Sequence, residues 1–157
     1  MLGVRLSDAV ELKGRFLGLP KSSSRHASTL GTGLRDLLPV EDKKSLLRWC
    51  VTEKHTVDQV AATVFDDFVR YGPPFFSFFK SEDSLINFLD GRNRSQDENG
   101  TLAILNALAH RDAEAVVALA DYARVAETQS PPISDQSWKF VRAFVEHFGL
   151  GKSLVRG

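Results

Sequence analysis

Cysteine is nearly absent from this 157-residue chain, in which Cys50 stands alone. A single cysteine forms neither an internal disulfide nor a thiolate metal cluster within one chain. We therefore expect a reducing, cytoplasmic setting. The chain also lacks any run of about 20 apolar residues, so we expect no helix that crosses a membrane. Arg5 and Asp8 interrupt the apolar N-terminal residues, which argues against a signal peptide.

An excess of either charge is absent as well, because 20 Lys and Arg residues balance 20 Asp and Glu residues. This balance disfavours a protein that binds nucleic acid through bulk charge. The first 35 residues differ, since they contain six basic and two acidic residues. The basic side chains either contact nucleic-acid phosphates or form a solvated arm, and the scarcity of interleaved aromatic residues favours the arm. The candidate phosphate-contacting residues are Lys13, Arg15, Lys21, Arg25 and Arg35.

Motifs of catalysis and metal binding are missing too. Four histidines occupy separate segments with no partner at ligand spacing: His26, His55, His110 and His147. The Gly-Lys-Ser sequence at 151–153 has Glu146 where a phosphate-binding loop needs its first glycine. We predict no enzyme activity, no metal and no cofactor. The alternative is a catalytic site that assembles only in the folded chain, around His55 or His110.

Helical periodicity is the strongest positive signal, and it is clearest at Thr56–Tyr71. Apolar residues recur there at three- and four-residue spacing on one face, whereas Asp66 and Asp67 fall on the other. The apolar face consists of Val57, Val60, Ala61, Val64, Phe65, Phe68 and Val69. Thr56 is placed to cap the helix, and Gly72 followed by two prolines is placed to end it. We predict a central helix whose apolar face other helices cover and whose carboxylates face solvent.

Comparable patterns predict further helices on both sides of this one, and no stretch alternates with a period of two for long enough to predict a strand. The predicted helices span residues 6–17, 40–54, 81–91, 101–126 and 134–148, and residues 92–100 are predicted as a polar loop. Over 101–126 we predict two helices with a corner at 110–112, and the alternative is one kinked helix. Ser81 and Ser134 are predicted as N-caps, and Gly149 is predicted to end the last helix. Cys50 is predicted as a small core residue of its helix.

Together these elements predict an all-α fold, a compact single-domain bundle of about six or seven helices over residues 1–157. The polar, Ser/Gly-rich and basic segment at 20–33 buries little surface, so we predict a flexible loop there. The short tail at 150–157 is predicted to be frayed.

Phenylalanine is over-represented, with 11 Phe against two Tyr and two Trp. Four Phe fall within F-F-S-F-F at 75–79, a segment that either closes the end of the bundle or exposes an anchor for a partner. The predicted last helix carries a wide apolar arc, which is either central or covered by a partner. The candidate partner-binding residues are Phe75, Phe76, Phe78, Phe79, Trp138, Phe140 and Phe144.

These features favour a non-enzymatic protein–protein interaction module, such as an adaptor, an inhibitor or a subunit of a larger assembly. Its partner is expected to be another protein or a second copy of the chain, bound through an exposed Phe-rich surface. The alternative is a small helical subunit of a nucleoprotein complex that contacts nucleic-acid phosphates through its basic N-terminal segment. The first hypothesis requires exposed rings near residues 75–79 or 138–148, and burial of all of them would argue against it.

Overall fold

Six α-helices account for most of the residues described by the computed structural model, which confirms the predicted all-α class. The described residues are 2–4, 7–20, 30–32, 34–39, 49–52, 55–79 and 81–155. The helices are α1 (Ser7–Phe16), α2 (Val57–Phe78), α3 (Glu82–Asp90), α4 (Gln96–Leu108), α5 (Asp112–Glu127) and α6 (Ile133–Phe148).

Contacts divide the chain into two compact units. The small unit contains Met1–Val4 and Leu30–Lys80, and the large unit contains Arg5–Thr29 and Ser81–Gly157. The prediction of one helical domain over the whole chain stays a prediction.

Several predicted features fall where the structure describes few residues or none. Most of the predicted loop at 20–33 and most of the predicted helix at 40–54 lie outside the described residues, whereas Leu30–Thr32, at the end of the predicted loop, form a strand. Cys50, which we predicted as a core residue of that helix, is exposed. Fraying of the tail at 150–157 also stays a prediction, and Lys152–Leu154 form one 3-10 turn within it.

The small unit begins with a two-stranded ribbon that the sequence analysis did not predict. Strand β1 (Leu2–Val4) pairs antiparallel with β2 (Leu30–Thr32). Strands of three residues are too short to show a period of two, which explains why pattern analysis misses them. A 3-10 helix at Leu34–Leu37 follows, and it packs against α2.

Helix α2 starts where the sequence predicts but continues further. The Thr56 hydroxyl accepts from the Gln59 backbone N–H, and the Gln59 side chain accepts from the Thr56 N–H at 2.9 Å, which forms a capping box. The predicted end at Gly72 is wrong, because the helix runs through Pro73 and Pro74 to Phe78. Proline keeps a helical φ, so the two prolines remove backbone hydrogen bonds without turning the chain out of the helix.

In the large unit, α4 is the central helix. It contacts α1, α3 and α5, and α6 in turn contacts α1 and α5. All of the largest fully buried side chains among the described residues belong to this unit: Leu85, Leu89, Leu102, Ile104, Leu105, Leu119, Phe140, Val141 and Phe144. The core of the described protein therefore lies around α4.

Helix α4 begins earlier than its sequence suggests, because Gln96 to Gly100 are helical and not part of a polar loop. Ser95 and Glu98 form a capping box at its start. Asn99 and Gly100 are buried, although both have low helix propensity. A Cβ at Gly100 would lie 3.0 Å from the Tyr122 ring, so glycine lets this ring pack against the helix. Packing has overridden propensity here.

The predicted breaks in the second half of the large unit are confirmed. Helix α4 ends at Leu108 and α5 begins at Asp112, with His110 in the left-handed region at φ 57° between them. Gly149 ends α6 at φ 71°, a conformation that glycine adopts at little cost. Helix α6 itself begins at Ile133 and has no side-chain cap, so the predicted Ser134 cap is wrong.

Three polar side chains close a ring of hydrogen bonds between α4, the α5–α6 connection and α6. Gln96 donates to Ser137 at 3.2 Å, Ser137 donates to Gln129 at 2.9 Å, and Gln129 donates back to Gln96 at 2.7 Å. Beside this ring, burial raises the pKa of the Tyr122 hydroxyl above its usual value, although a hydrogen bond with Ser137 lowers it. The phenol of Tyr122 therefore stays neutral in the core. The closed ring of hydrogen bonds among Gln96, Gln129 and Ser137 holds the three segments in fixed positions relative to each other.

Candidate functional site

The side of α2 that is most covered carries a carboxylate. Asp67 is only 3% exposed, and its Oδ2 accepts a hydrogen bond from Trp49 Nε1 at 2.8 Å. Val60, Val64 and Tyr71, which are half-buried, follow the same line along the helix. The prediction that Asp66 and Asp67 both face solvent is therefore wrong for Asp67. A buried carboxylate needs hydrogen-bond donors, and the indole N–H supplies one of them.

The apolar face next to this line is exposed. The prediction that other helices cover the apolar face is wrong for Val57, Phe65, Phe68 and Val69, which remain open to solvent, as does Phe76 further along the helix. Their exposed fractions are 65% for Val57, 64% for Phe65, 38% for Phe68, 52% for Val69 and 39% for Phe76. Phe65 lies three residues before Phe68 and four before Val69, so these side chains share one side of α2. Val57 lies eight residues before Phe65 and Phe76 lies eight residues after Phe68, which places both on the same side. We call this surface the α2 apolar face.

The F-F-S-F-F segment extends this surface at the C-terminal end of α2. Its rings pack against each other edge to face, with centroid separations of 5.5 Å for Phe75 and Phe76, 5.0 Å for Phe75 and Phe79, and 5.0 Å for Phe78 and Phe79. Phe76 and Phe78 are exposed, whereas Phe75 and Phe79 are half-buried. The four candidate rings therefore form one cluster with an open side. Such ring pairs contribute about 0.5–1.5 kcal/mol each beyond area burial, which holds the cluster in shape.

The aromatic candidates on the last helix belong to the core. Phe140 is 1% exposed and Phe144 is 0% exposed, which corrects the prediction that they bind a partner. The Phe16 ring of α1 packs edge to face on two of these rings, with centroid separations of 5.7 Å to Phe140 and 6.2 Å to Phe144. The ring centroid of Tyr122 on α5 lies 4.5 Å from that of Phe140. The wide apolar arc of α6 is thus covered from two sides within the large unit. Trp138 is half-buried.

The basic candidates do not form a common surface among the described residues. Lys13 Nζ lies 2.7 Å from Asp97 Oδ2 and donates to Thr101 Oγ1 at 2.9 Å, so this lysine joins α1 to α4. The predicted phosphate contact of Lys13 stays a prediction. Arg15 Nη2 lies 3.0 Å from His147 Nδ1 and is exposed. Lys21, Arg25 and the side chain of Arg35 lie outside the described part of the chain.

The described residues contain few of the side-chain groupings that metal binding or catalysis requires. No group of three or more His, Cys, Asp or Glu side chains there could hold a metal ion. His55 pairs with Thr52 through two backbone hydrogen bonds, with its Nδ1 3.3 Å from the Thr52 hydroxyl. His110 is exposed at the corner before α5. The α2 apolar face is therefore the feature that most needs a functional explanation.

Phe65, Phe68 and Val69 were absent from the sequence-based candidates, because their helical spacing predicted burial. That spacing shows that one face of the helix is apolar, but it does not show what covers the face. The exposed fractions of Phe65, Phe68 and Val69 show that no described element covers this face.

Comparison with family models, curated proteins and solved structures finds no significant match. Within the described ranges, no helix is long and apolar enough to cross a membrane.

Proposed function

We propose that this protein is a non-enzymatic interaction module, an adaptor, inhibitor or subunit of an assembly, that binds a protein partner through the α2 apolar face. The observation that carries this proposal is the exposure of five large apolar side chains on one face of a single 22-residue helix. Monomeric soluble proteins rarely expose a contiguous apolar patch of this kind without a binding role.

The geometry of the face fits a recurring mode of recognition. An amphipathic helix that lies in a groove of its partner uses anchors at three- and four-residue intervals, as Phe65, Phe68 and Val69 do here. A helix of 22 residues is about 33 Å long, which is enough for several anchors in one groove. Phe side chains suit this role because they bring a large apolar area with few rotatable bonds.

The rotation of α2 within the small unit supports the same proposal. The contact between Asp67 and Trp49 lies beside the apolar face, so it holds that part of the helix inward. Because the hydrogen bond between Asp67 and Trp49 turns the Asp67 side of α2 inward, Phe65 and Val69 point toward solvent. A helix oriented only by its apolar stripe would turn these residues toward the unit's own core.

The test is a capture experiment with the full chain and two pairs of substitutions. The first variant combines Phe65→Ser with Phe68→Ser on the α2 apolar face. The matched control combines Val117→Ser with Ile133→Ser, because these side chains are 61% and 60% exposed in the large unit. Each protein is cross-linked in lysate, and the captured proteins are identified by mass spectrometry. Light scattering reports self-association in parallel.

We expect the unmodified chain and the control to capture the same partner, or to form the same oligomer, and the α2 variant to lose it. Truncating a central aromatic anchor costs about 2 kcal/mol or more in binding, so two such changes remove most of the complex. Capture that is equal for all three proteins would contradict the proposal. Circular dichroism spectra that coincide would show that the fold is retained.

The nucleic-acid alternative stays a prediction. One of its five candidate residues, Lys13, is held by Asp97 and Thr101 within the large unit.

A further inference from the structure

The α2 apolar face is bordered on one side by a line of polar side chains that is symmetric about Phe68. Asp66 lies two residues before Phe68, and Arg70 lies two residues after it. Gln59 lies nine residues before Phe68, and Ser77 lies nine residues after it. The four polar residues are exposed, and their spacings of seven, four and seven residues keep them on one edge of the helix. This edge therefore carries opposite charges at equal distances from Phe68.

The two charged side chains of this edge are not neutralised by the protein itself. Among the described residues, neither Asp66 nor Arg70 takes part in an ion pair. The Arg70 guanidinium lies 5.3 Å from the centroid of the Tyr71 ring, a contact that involves no carboxylate. Both charges therefore remain available to a partner of complementary charge.

The two uncharged residues of the edge are complementary as well. Gln59 Oε1 accepts from the Thr56 N–H, so the two N–H groups of its amide remain as donors. The Ser77 hydroxyl donates its proton to the Pro73 carbonyl, so its oxygen keeps lone pairs that accept. A contact between Gln59 and Ser77 thus joins a donor to an acceptor.

We infer that the α2 apolar face binds a second copy of this chain, with the two α2 helices antiparallel and a two-fold axis at Phe68. The inference rests on the proposed function, because it names the partner of the same face. In an antiparallel pair each edge of the contact meets the same edge of the other helix, and a two-fold interface brings residue i to j and residue j to i. Asp66 of each copy therefore meets Arg70 of the other, which forms two ion pairs.

The sizes of the exposed side chains fit the same arrangement. Val57 and Ala61 are exposed near the N-terminal end of α2, whereas the larger Phe76 is exposed near the C-terminal end. Phe76 lies eight residues after Phe68, so it meets the second copy eight residues before Phe68, between Val57 and Ala61. Antiparallel pairing thus places a large ring against small side chains at both ends of the contact.

The interface expected from this pairing is small. A 22-residue helix that is about 33 Å long and 10–12 Å wide has a footprint on the order of 350 Å². Standard interfaces bury about 800 Å² per partner, so we expect a dimer that dissociates at micromolar concentration. Asp58 is exposed about 15 Å from the axis, at the rim of the contact, where interfaces are polar.

The test is sedimentation equilibrium of the purified full chain, without other proteins, at about 1 to 100 µM. The variants are Asp66→Arg, Arg70→Asp and the combination of both. The matched controls are Glu127→Arg and Arg142→Asp, because these make the same changes of charge at exposed positions of the large unit. Circular dichroism spectra compare the folds of all variants.

We expect the unmodified chain and both controls to form the same dimer. Asp66→Arg and Arg70→Asp should each weaken it at least about tenfold, because each change sets like charges opposite each other in both contacts. Phe65→Ser combined with Phe68→Ser should abolish the dimer, since it removes the central anchors.

An equimolar mixture of Asp66→Arg and Arg70→Asp should regain the affinity of the unmodified chain. In the mixed dimer, one copy carries two basic residues and the other carries two acidic residues at these positions, so both contacts again join opposite charges. The variant with both substitutions should dimerise with itself for the same reason. A damaged fold is not repaired by mixing, so recovery identifies the contact between the two copies.

Three results would overturn the inference. The first is a chain that stays monomeric at every concentration. The second is a dimer that persists in the variant with Phe65→Ser and Phe68→Ser, because the copies then meet through another surface. The third is a mixture of the two charge variants that does not recover. If the purified chain is monomeric but the Phe65 and Phe68 variant loses a partner captured from lysate, the second copy is excluded while the proposed function stands.

Discussion

Helix α2 of the small unit and helix α4 of the large unit differ in how much of their surface the rest of the protein covers. Every residue of α4 from Asn99 to Ala107 is buried, because α1, α3 and α5 surround that helix. Only Asp67 and Gly72 are buried on α2, although its sequence is the more apolar of the two. Burial is thus decided by the number of packed neighbours, and an apolar helix with few neighbours keeps a face for a partner.

The two helices also use polar residues differently. Helix α4 buries the polar residues Asn99, Thr101 and Asn106 among its apolar residues. Helix α2 buries the carboxylate of Asp67 against Trp49 and exposes Phe65. In both units a polar contact helps decide which side of a helix faces inward.

The largest test of this comparison is the same substitution on a covered ring and on an open ring. Phe144→Ala should lower the free energy of unfolding by about 3–5 kcal/mol, because it leaves a cavity beside Phe16. Phe65→Ala should change it by less than about 0.5 kcal/mol. Urea unfolding followed by circular dichroism measures both. Similar losses for the two variants would show that the α2 apolar face is covered in solution.

A second test compares neighbouring carboxylates on α2. Asp67→Ala should cost about 1.5–3 kcal/mol in unfolding free energy, because the Trp49 indole loses a charged acceptor. Asp66→Ala, at an exposed position, should cost less than about 0.5 kcal/mol. Thermal unfolding monitored by tryptophan fluorescence reports both variants. If the two behave alike, Asp67 does not set the rotation of α2.

A third test probes how tightly α4 is enclosed. Gly100→Ala should lower stability by about 1–3 kcal/mol, because its Cβ would meet the Tyr122 ring at 3.0 Å and the Phe140 ring at 3.2 Å. Gly91→Ala has only a backbone oxygen at 3.6 Å, so it should be neutral or stabilise by up to about 1 kcal/mol. Chemical denaturation separates the two. If Gly100→Ala instead raised the free energy of unfolding, the Tyr122 and Phe140 rings would be able to move aside without loss of stability.

The smallest effect on stability is expected from polar substitutions on the α2 apolar face. Phe65→Ser combined with Val69→Ser should alter the free energy of unfolding by less than about 0.5 kcal/mol, since both side chains are exposed. The same pair should reduce the fluorescence of a dye that binds exposed apolar surface, such as ANS. Unchanged dye fluorescence would argue that these side chains do not form a continuous surface.

The amino-acid sequence by itself determined the helical class and several helix ends. Thr56 and Ser81 are confirmed as caps, His110 marks the predicted corner, and Gly149 ends the last helix. These features are local, because a cap or a left-handed stop depends on a few neighbouring residues. Local signals misled where packing outweighed propensity, as at Gly100, and where two prolines stayed within α2.

Only the tertiary structure decided which apolar faces are covered. Phe144 and Phe65 occupy equally convincing apolar stripes, yet α1 covers the first ring and the second stays exposed. Periodicity predicts that one face of a helix is apolar, but it does not predict which element packs against that face, because the packing residues are far apart in the chain. For the same reason, periodicity does not predict that Arg92, Arg94 and Arg124 line one cavity of the large unit, because Arg124 lies on α5 and the other two precede α4.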